Sequence, residues 1–299
     1  MAGCSGTDIS IRGDGMASAT RRVDLRAFAC ALALVTAGGV GAVAVAPAAY
    51  AQAYKPGRLA DGKTPDFRGI WQVVEAKAGV NLEGSPGQPS VIYAPANGKI
   101  PYKPEARKLQ QANYKDRIKL DPLRKCFQGG VPRSTMSSMP MQFVQGEGGY
   151  LALIHQENHA FRFFYPDSRP HYEDIDSWMG DNRYRWDGDV LVTSNKSQAP
   201  TWLDEAGNHH TNKMEVVERY TMTDANTIRY EATITDEEVF TSPWSFRLTL
   251  KRNTTPGAAL IEDECIPDHN GVRHRVDPFK PEALLKNTNR RWTLIPEQK

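Results

Sequence analysis

The sequence has few of the residues and motifs that assign a protein to a chemical class. It contains only four cysteines in 299 residues. It has no Gly-x-Ser-x-Gly nucleophile turn, no phosphate-binding loop, no dinucleotide fingerprint and no Cys-x-x-Cys pair. Positive and negative charges nearly balance, since 37 Lys and Arg stand against 35 Asp and Glu, for a formal net charge of +2. This balance argues against nucleic acid as a partner, because nucleic-acid binding needs a basic face.

Charged residues are absent between Arg26 and Lys55. This segment is rich in Ala, Val, Leu and Gly, follows the basic pair Arg21-Arg22, and ends in the small-x-small sequence Ala49-Tyr50-Ala51. These are the features of a cleavable export signal. We therefore predict a signal peptide at residues 1–51, a periplasmic or secreted location, and no membrane span after cleavage. An uncleaved anchor and a buried core helix are the alternatives.

The sequence is consistent with two export routes, the twin-arginine route and the general secretory route. The sequence Thr20-Arg21-Arg22-Val23-Asp24-Leu25-Arg26 resembles the twin-arginine export signal, with Asp24 where that signal prefers an apolar residue. The resemblance implies a substrate that crosses the membrane folded, sometimes with a cofactor. The general secretory route is the alternative.

Cleavage after Ala51 removes Cys4 and Cys30 and leaves Cys126 and Cys265. Two cysteines in an oxidising compartment most often pair, so we predict a disulfide between them. The alternative, a thiol nucleophile, has no His-flanked Cys motif to support it.

Short strands dominate residues 67–261, and no βαβ rhythm is present. We predict an antiparallel, lipocalin-like β-barrel, with a sandwich as the alternative. Residues 52–66 are expected to be an extended lead-in and residues 67–299 a single domain. One polar helix is expected from Pro104 to Leu120, where proline opens the first turn. The predicted strands are Phe67–Val74, Met141–Val144, Tyr150–His155, His159–Tyr165, Tyr184–Trp186, Val190–Thr193, Met214–Met222, Thr227–Ile234, Phe246–Leu250 and Ala258–Ile261.

The first predicted strand carries Gly69-Ile70-Trp71, and the tail carries Asn289-Arg290-Arg291-Trp292. In both respects the chain resembles lipocalin-like barrels, in which an arginine from the far end of the chain lies across the tryptophan of a Gly-x-Trp motif. A guanidinium over an indole is a favourable cation–π contact. The resemblance implies that such a contact seals one end of the barrel.

A carboxylate on an apolar strand face is the main chemical signal. Alternation puts Met214, Val216, Glu218, Tyr220 and Met222 on one face of a strand. A buried carboxylate must be neutralised, paired or placed at a wet cavity. Glu218 is therefore either half of an ion pair, for which Arg162 is the natural partner, or a general acid/base with a raised pKa.

The candidate catalytic residues are Glu218, Arg162, His155 and His171, and the candidate substrate-contacting residues are Tyr220, Met222, Trp178 and His209. We expect no cofactor. A divalent metal ion is the alternative, held by His155 and His159, by His209-His210, or by the run Asp268–His274. None of these spacings is specific.

Three blocks of sequence resemble a group of uncharacterised exported bacterial proteins. The first is CFQGGVPR at 126–133, similar to C-x-P-x-G-x-P-R with Gln128 in place of proline. The second comprises SRPH at 168–171 and GDNRYRWDGDVLV at 180–192, with Asn182 and Tyr184 as departures from GDSxGRWxGDTLVV. The third is ERYT at 218–221, with Pro243-Trp244 beyond it. The resemblance covers most of residues 66–270 and brings no activity with it.

Three functions remain in competition. The first is an exported, cofactor-independent lyase, dehydratase or isomerase that acts by acid–base chemistry on a hydrophobic, aromatic small molecule. The second is a non-catalytic lipocalin-like carrier of such a molecule, and the third is a structural module of the cell envelope. The interior Glu218 favours the first.

Overall fold

The computed structural model describes residues 54–172, 175–263, 265–267 and 273–275. These residues belong to one compact unit that begins at Ala51. The predicted signal peptide, the side chains of the run 268–274 and the tail segment 289–292 lie outside the described part of the chain.

The described chain is mostly β-structure, as the strand pattern predicts. Its strands are β1 (Gly69–Val73), β2 (Ile92–Ala94), β3 (Met141–Gln145), β4 (Leu151–His155), β5 (Phe161–Pro166), β6 (Asp181–Asp187), β7 (Val190–Lys196), β8 (Glu215–Asp224), β9 (Thr227–Thr235), β10 (Trp244–Arg252), β11 (Cys265–Pro267) and β12 (Arg273–Arg275).

Nine of these strands close into a barrel. β1 and β3 to β10 follow one another around it, and β1 pairs with β10 to complete the ring. Neighbouring strands are antiparallel except β5 and β6, which run parallel. β2 adds to β10, and β11 and β12 pair separately. The prediction of an antiparallel β-barrel is confirmed, except for the parallel pairing of β5 and β6, which the sequence did not indicate.

One predicted strand is absent from the described chain, and β2, β11 and β12 were not predicted. Ala258–Ile261 forms no strand, and the Ile261 N–H donates to the side-chain Gln156 Oε1 at 3.1 Å rather than to a neighbouring strand. β2 forms within residues 79–104, a segment whose glycines and prolines predict a loop. Three residues are too few for alternation to be visible in the sequence.

The predicted helix is present but is divided at Asp116 into α1 (Pro104–Lys115) and α2 (Arg117–Leu120). The buried side chains of α1 are the amides of Gln110 and Asn113. Gln110 Nε2 donates to the carbonyl of Ala206 at 2.7 Å, and Asn113 Nδ2 to that of Gly207 at 3.2 Å.

The Gly-x-Trp sequence of β1 has the contact that the lipocalin resemblance implies, with a different arginine. The guanidinium of Arg252, on β10, lies 4.2 Å from the ring centre of the fully buried Trp71. Gly69 has φ of +131°, and a Cβ there would collide with the Arg252 guanidinium. Glycine at this position therefore lets the guanidinium reach the indole.

Cys126 and Cys265 form the predicted disulfide, with their Cα atoms 5.5 Å apart. The bridge joins positions 139 residues apart in the chain. It ties the segment after β10 to the loop that precedes β3.

Removing this bridge should lower stability substantially. In the chain-entropy account a loop of this length is worth about 5 kcal/mol, which corresponds to a fall in Tm of roughly 10–20 °C for a domain of this size. The comparison is between the wild type and the double variant Cys126→Ser/Cys265→Ser, melted with and without reductant. Reductant should lower the Tm of the wild type alone. An unchanged wild-type Tm would contradict the stabilising role.

Candidate functional site

Glu218 lies inside the barrel, where the alternation of β8 places it. Its side chain is 0% exposed, and Val216 and Tyr220 on the same face are fully buried as well. The next strand presents Tyr230 and Ala232 to the same interior.

Both carboxylate oxygens of Glu218 accept several hydrogen bonds. Oε1 accepts from Arg162 Nη1 at 3.1 Å, from the Tyr220 hydroxyl at 3.0 Å and from the Tyr230 hydroxyl at 2.8 Å. Oε2 accepts from the Thr193 hydroxyl at 2.7 Å and forms the salt bridge with Arg162 Nη2. The Arg162 side chain is likewise 0% exposed. The pairing is therefore bidentate and closed to solvent.

These contacts set the charge state of Glu218. Burial by itself raises the pKa of a carboxyl group, but the Arg162 charge and the donors around Glu218 outweigh it and hold the pKa of Glu218 below its ordinary value. An acid/base catalyst near neutral pH needs a shift in the other direction. The geometry thus favours the ion-pair interpretation of Glu218.

The ion pair continues into a chain of amide side chains. Asn182 Oδ1 accepts from Arg162 Nε at 3.0 Å and from Asn195 Nδ2 at 2.8 Å. Gln198 Nε2 donates to Asn195 Oδ1 and to the Val131 carbonyl, both at 2.9 Å. Val131, Asn182 and Glu218 belong to the three different sequence blocks quoted above. The blocks therefore meet in one buried polar network, and the departure Asn182 is a member of it.

His155 lies at the end of β4 on the interior face and is 2% exposed. Burial, followed by the nearby Arg162 charge, lowers the pKa of His155 to about 3. The ring is therefore neutral at physiological pH.

The other predicted site residues are dispersed. Tyr220 is tied to Glu218, and Met222 packs into the same interior with 5% exposure. His209 stacks on Tyr102 with ring centres 5.8 Å apart. His171 lies on the outside of the barrel, because it contacts Ser194 while Glu218 contacts Thr193, and these neighbours on β7 point to opposite faces. The structure does not bring His171 and Glu218 together.

Trp178 lines a surface groove of about 450 Å³ along the seam of β5 and β6. Its ring stacks on Phe127, with centres 4.8 Å apart. The outward row of β5, Phe161 and Phe163, forms one side of the groove and remains 52% and 42% exposed. Tyr172 and Ile175, from the segment that crosses from β5 to β6, line it as well.

Of the residues that line this groove, Trp178 and Arg162 are predicted site residues. The signal for Phe161 and Phe163 was the apolar character of both faces of β5. Burial assigns Ala160, Arg162 and Phe164 to the interior, so the second apolar row is the exposed one. Exposed, contiguous aromatic side chains commonly mark a binding surface.

A second groove of about 600 Å³ lies across the ridge of Phe161 and Phe163. It is lined by Tyr150, Ile154 and His155, and by Leu260–Glu262.

Within the described residues, no group of three or more His, Cys, Asp or Glu side chains is arranged to hold a metal ion. Among the same residues, no helix combines the length and the apolar character that crossing a membrane requires.

Comparison with protein-family models, with curated proteins and with solved structures found no match. The fold and the local geometry are therefore what carry a functional argument. They define a closed β-barrel whose mostly apolar interior contains one buried polar network, with an aromatic groove on its outside.

Replacing Glu218 by Gln should destabilise the fold. The change leaves the Arg162 guanidinium buried without its counter-charge, which costs about 3–5 kcal/mol. Urea unfolding of Glu218→Gln beside the wild type measures this loss. Glu215→Gln serves as the control, because its partner Lys196 is solvent-exposed and the pair should contribute little. Equal stability of Glu218→Gln and the wild type would contradict the ion-pair interpretation.

The contribution of His155 to stability should fall as the pH falls below about 6.5, while Asp204, whose pKa burial raises to about 7, contributes in the opposite direction. Unfolded His155 binds a proton with an ordinary pKa, whereas the folded ring stays neutral until about pH 3, so the unfolded state binds more protons in this range. His155 alone should account for about 2 kcal/mol between pH 6.5 and pH 5. His210, whose pKa burial lowers to about 4, adds to the effect.

Urea unfolding at several pH values tests this, with His155→Gln as the comparison. The variant should show a shallower loss of stability over the same range. Parallel pH profiles for the two proteins would exclude His155 as the cause.

Proposed function

We propose that the protein binds an uncharged, aromatic small molecule in the groove that Trp178 lines. The observation that carries this proposal is a concave, aromatic and partly exposed surface outside a barrel in which Glu218 and Arg162 are closed to solvent. A volume of about 450 Å³ is within the range of ligand pockets.

The chemistry of the groove wall favours a flat, apolar ligand. Phe161, Phe163, Tyr172 and Trp178 offer ring faces and edges on which an aromatic ligand can stack. The charged groups that reach the groove are already paired, since Arg162 binds Glu218 and Asp181 binds Arg183. An ionic ligand would therefore find no free counter-charge among these residues.

We favour this groove over the larger one because it contains an indole and adjoins the buried network. Gly180, Asp181 and Asn182, from the second sequence block, line this groove. A ligand there would contact residues whose positions the network fixes, which lowers the entropic cost of binding.

An oxidising, extracytoplasmic location belongs to this proposal. The predicted signal peptide motivates it, and the Cys126–Cys265 disulfide supports it. A carrier of hydrophobic compounds in the periplasm or outside the cell fits these features better than an interior lyase, because Glu218 and Arg162 are both closed to solvent.

Binding of the neutral fluorescent probe N-phenyl-1-naphthylamine tests the proposal. Trp178→Ala and Phe163→Ala should each weaken binding by about tenfold, since one lost aromatic contact is worth about 1.4 kcal/mol. Tyr114→Ala is the matched control, because Tyr114 is an exposed aromatic residue on α1 that does not line the groove. Equal affinities for all four proteins, or no binding by the wild type, would refute the proposed site.

A further inference from the structure

Three residues on the outer face of β6 and β7 form a hydrogen-bonded row. His171 Nδ1 lies 2.9 Å from Asp181 Oδ2, and His171 Nε2 lies 3.3 Å from Ser194 Oγ. Carboxylate, imidazole and hydroxyl thus stand in the order that activates a serine nucleophile. Ser194 lies in the middle of β7 and is not part of a Gly-x-Ser-x-Gly turn, so no sequence motif marks it as a nucleophile.

The partners of His171 determine which ring nitrogen carries the proton. Asp181 Oδ2 also accepts the backbone N–H of Tyr172 at 2.9 Å, and Oδ1 is bound by Arg183, so the carboxylate is an acceptor on both oxygens. His171 Nδ1 must then be the donor toward Asp181. Nε2 is left as the acceptor for the Ser194 hydroxyl, which is the tautomer that a general base requires.

The chain around these residues holds them in place. Arg183 is 1% exposed, and its Nε donates to the Arg169 carbonyl at 2.8 Å, which ties the segment before His171 to β6. Arg183 and Ser194 are directly paired across β6 and β7. The base and the nucleophile are thus fixed on neighbouring elements.

The row is accessible and adjoins the aromatic groove. The His171 side chain is 22% exposed, and Ser194 is half-buried on the outside of the barrel. Val217, paired with Ser194 on β8, is 43% exposed and offers an apolar surface beside the hydroxyl. Asp181 and Tyr172 line the groove itself.

We propose that Ser194, His171 and Asp181 form a hydrolytic site that cleaves carboxylic esters of aromatic compounds. The choice of aromatic substrates rests on the proposed binding function of the groove. The serine chemistry rests only on the geometry of the three side chains.

The reaction balances without a cofactor. Ser194 Oγ attacks the ester carbonyl carbon while His171 Nε2 takes the hydroxyl proton, and the tetrahedral adduct expels the alcohol, which receives that proton. Water, deprotonated by His171, then attacks the acyl-serine, releases the carboxylic acid and restores the serine hydroxyl. Asp181 stabilises the imidazolium at both stages.

A purely structural role for Ser194 makes a different prediction. In that case the hydroxyl only helps to hold the segment that carries His171 against the barrel. Ser197 provides the matched comparison, because its hydroxyl donates to the Tyr172 carbonyl at 3.0 Å and holds the same segment without contacting His171.

The experiment uses the mature protein, a fluorophosphonate probe and the ester 4-nitrophenyl benzoate. The probe should add once, at Ser194, as seen by peptide mass spectrometry. Ser194→Ala and His171→Gln should lose labelling and at least a hundredfold in kcat/KM, the scale of general-base catalysis. Ser197→Ala should retain both the labelling and the wild-type kcat/KM. Trp178→Ala should raise KM for the aromatic ester.

Failure of this inference is distinguishable from failure of the proposed binding function. Wild-type protein that binds N-phenyl-1-naphthylamine but neither reacts with the probe nor hydrolyses the ester overturns the hydrolytic site and leaves the groove intact. Fluorophosphonate labelling that depends on Ser194, without any binding of N-phenyl-1-naphthylamine in the groove, supports the hydrolytic site and overturns the aromatic substrate class. Equal losses in Ser194→Ala and Ser197→Ala, with lowered thermal stability in both, would assign Ser194 a structural role.

Discussion

The ion pair of Arg162 and Glu218 determines how the inside of the barrel is built. Each ion loses several kcal/mol of hydration when it leaves water, so the pair is tolerable only if every remaining donor and acceptor finds a partner. Thr193, Tyr220, Tyr230 and the amide of Asn182 supply those partners. Since a slip of one residue would turn Glu218 outward, the network also specifies the register of the strands that contribute to it.

The parallel pairing of β5 and β6 determines what lies on the outside of the barrel next to these strands. Antiparallel neighbours can be joined by a short turn, whereas parallel neighbours require a crossover. Here the crossover passes along the outside of the barrel and carries His171, Tyr172 and Trp178. It therefore forms a wall of the aromatic groove and places an imidazole beside Ser194. The stack of Trp178 on Phe127, next to the disulfide at Cys126, holds the far end of this wall.

Much of the barrel was predictable, because alternation directly reports which face of a strand is buried. The faces of β8 and β9 and the pairing of the two cysteines are confirmed on this basis. β5 was ambiguous, since both of its faces are apolar and periodicity cannot rank two apolar rows. The parallel pairing could not be predicted either, because strand direction depends on how the crossover packs and not on local composition.

The sequence by itself determined a β-rich barrel, a cystine between Cys126 and Cys265, and an inward-facing carboxylate at Glu218. These follow from residue spacing and local preference, which act over a few neighbours. Only the tertiary structure decided that Arg162 closes the carboxylate off from solvent and that His171 is on the opposite side of the wall, next to Asp181 and Ser194. Contacts between strands and a crossover depend on register and packing over the whole chain, and no local pattern encodes them.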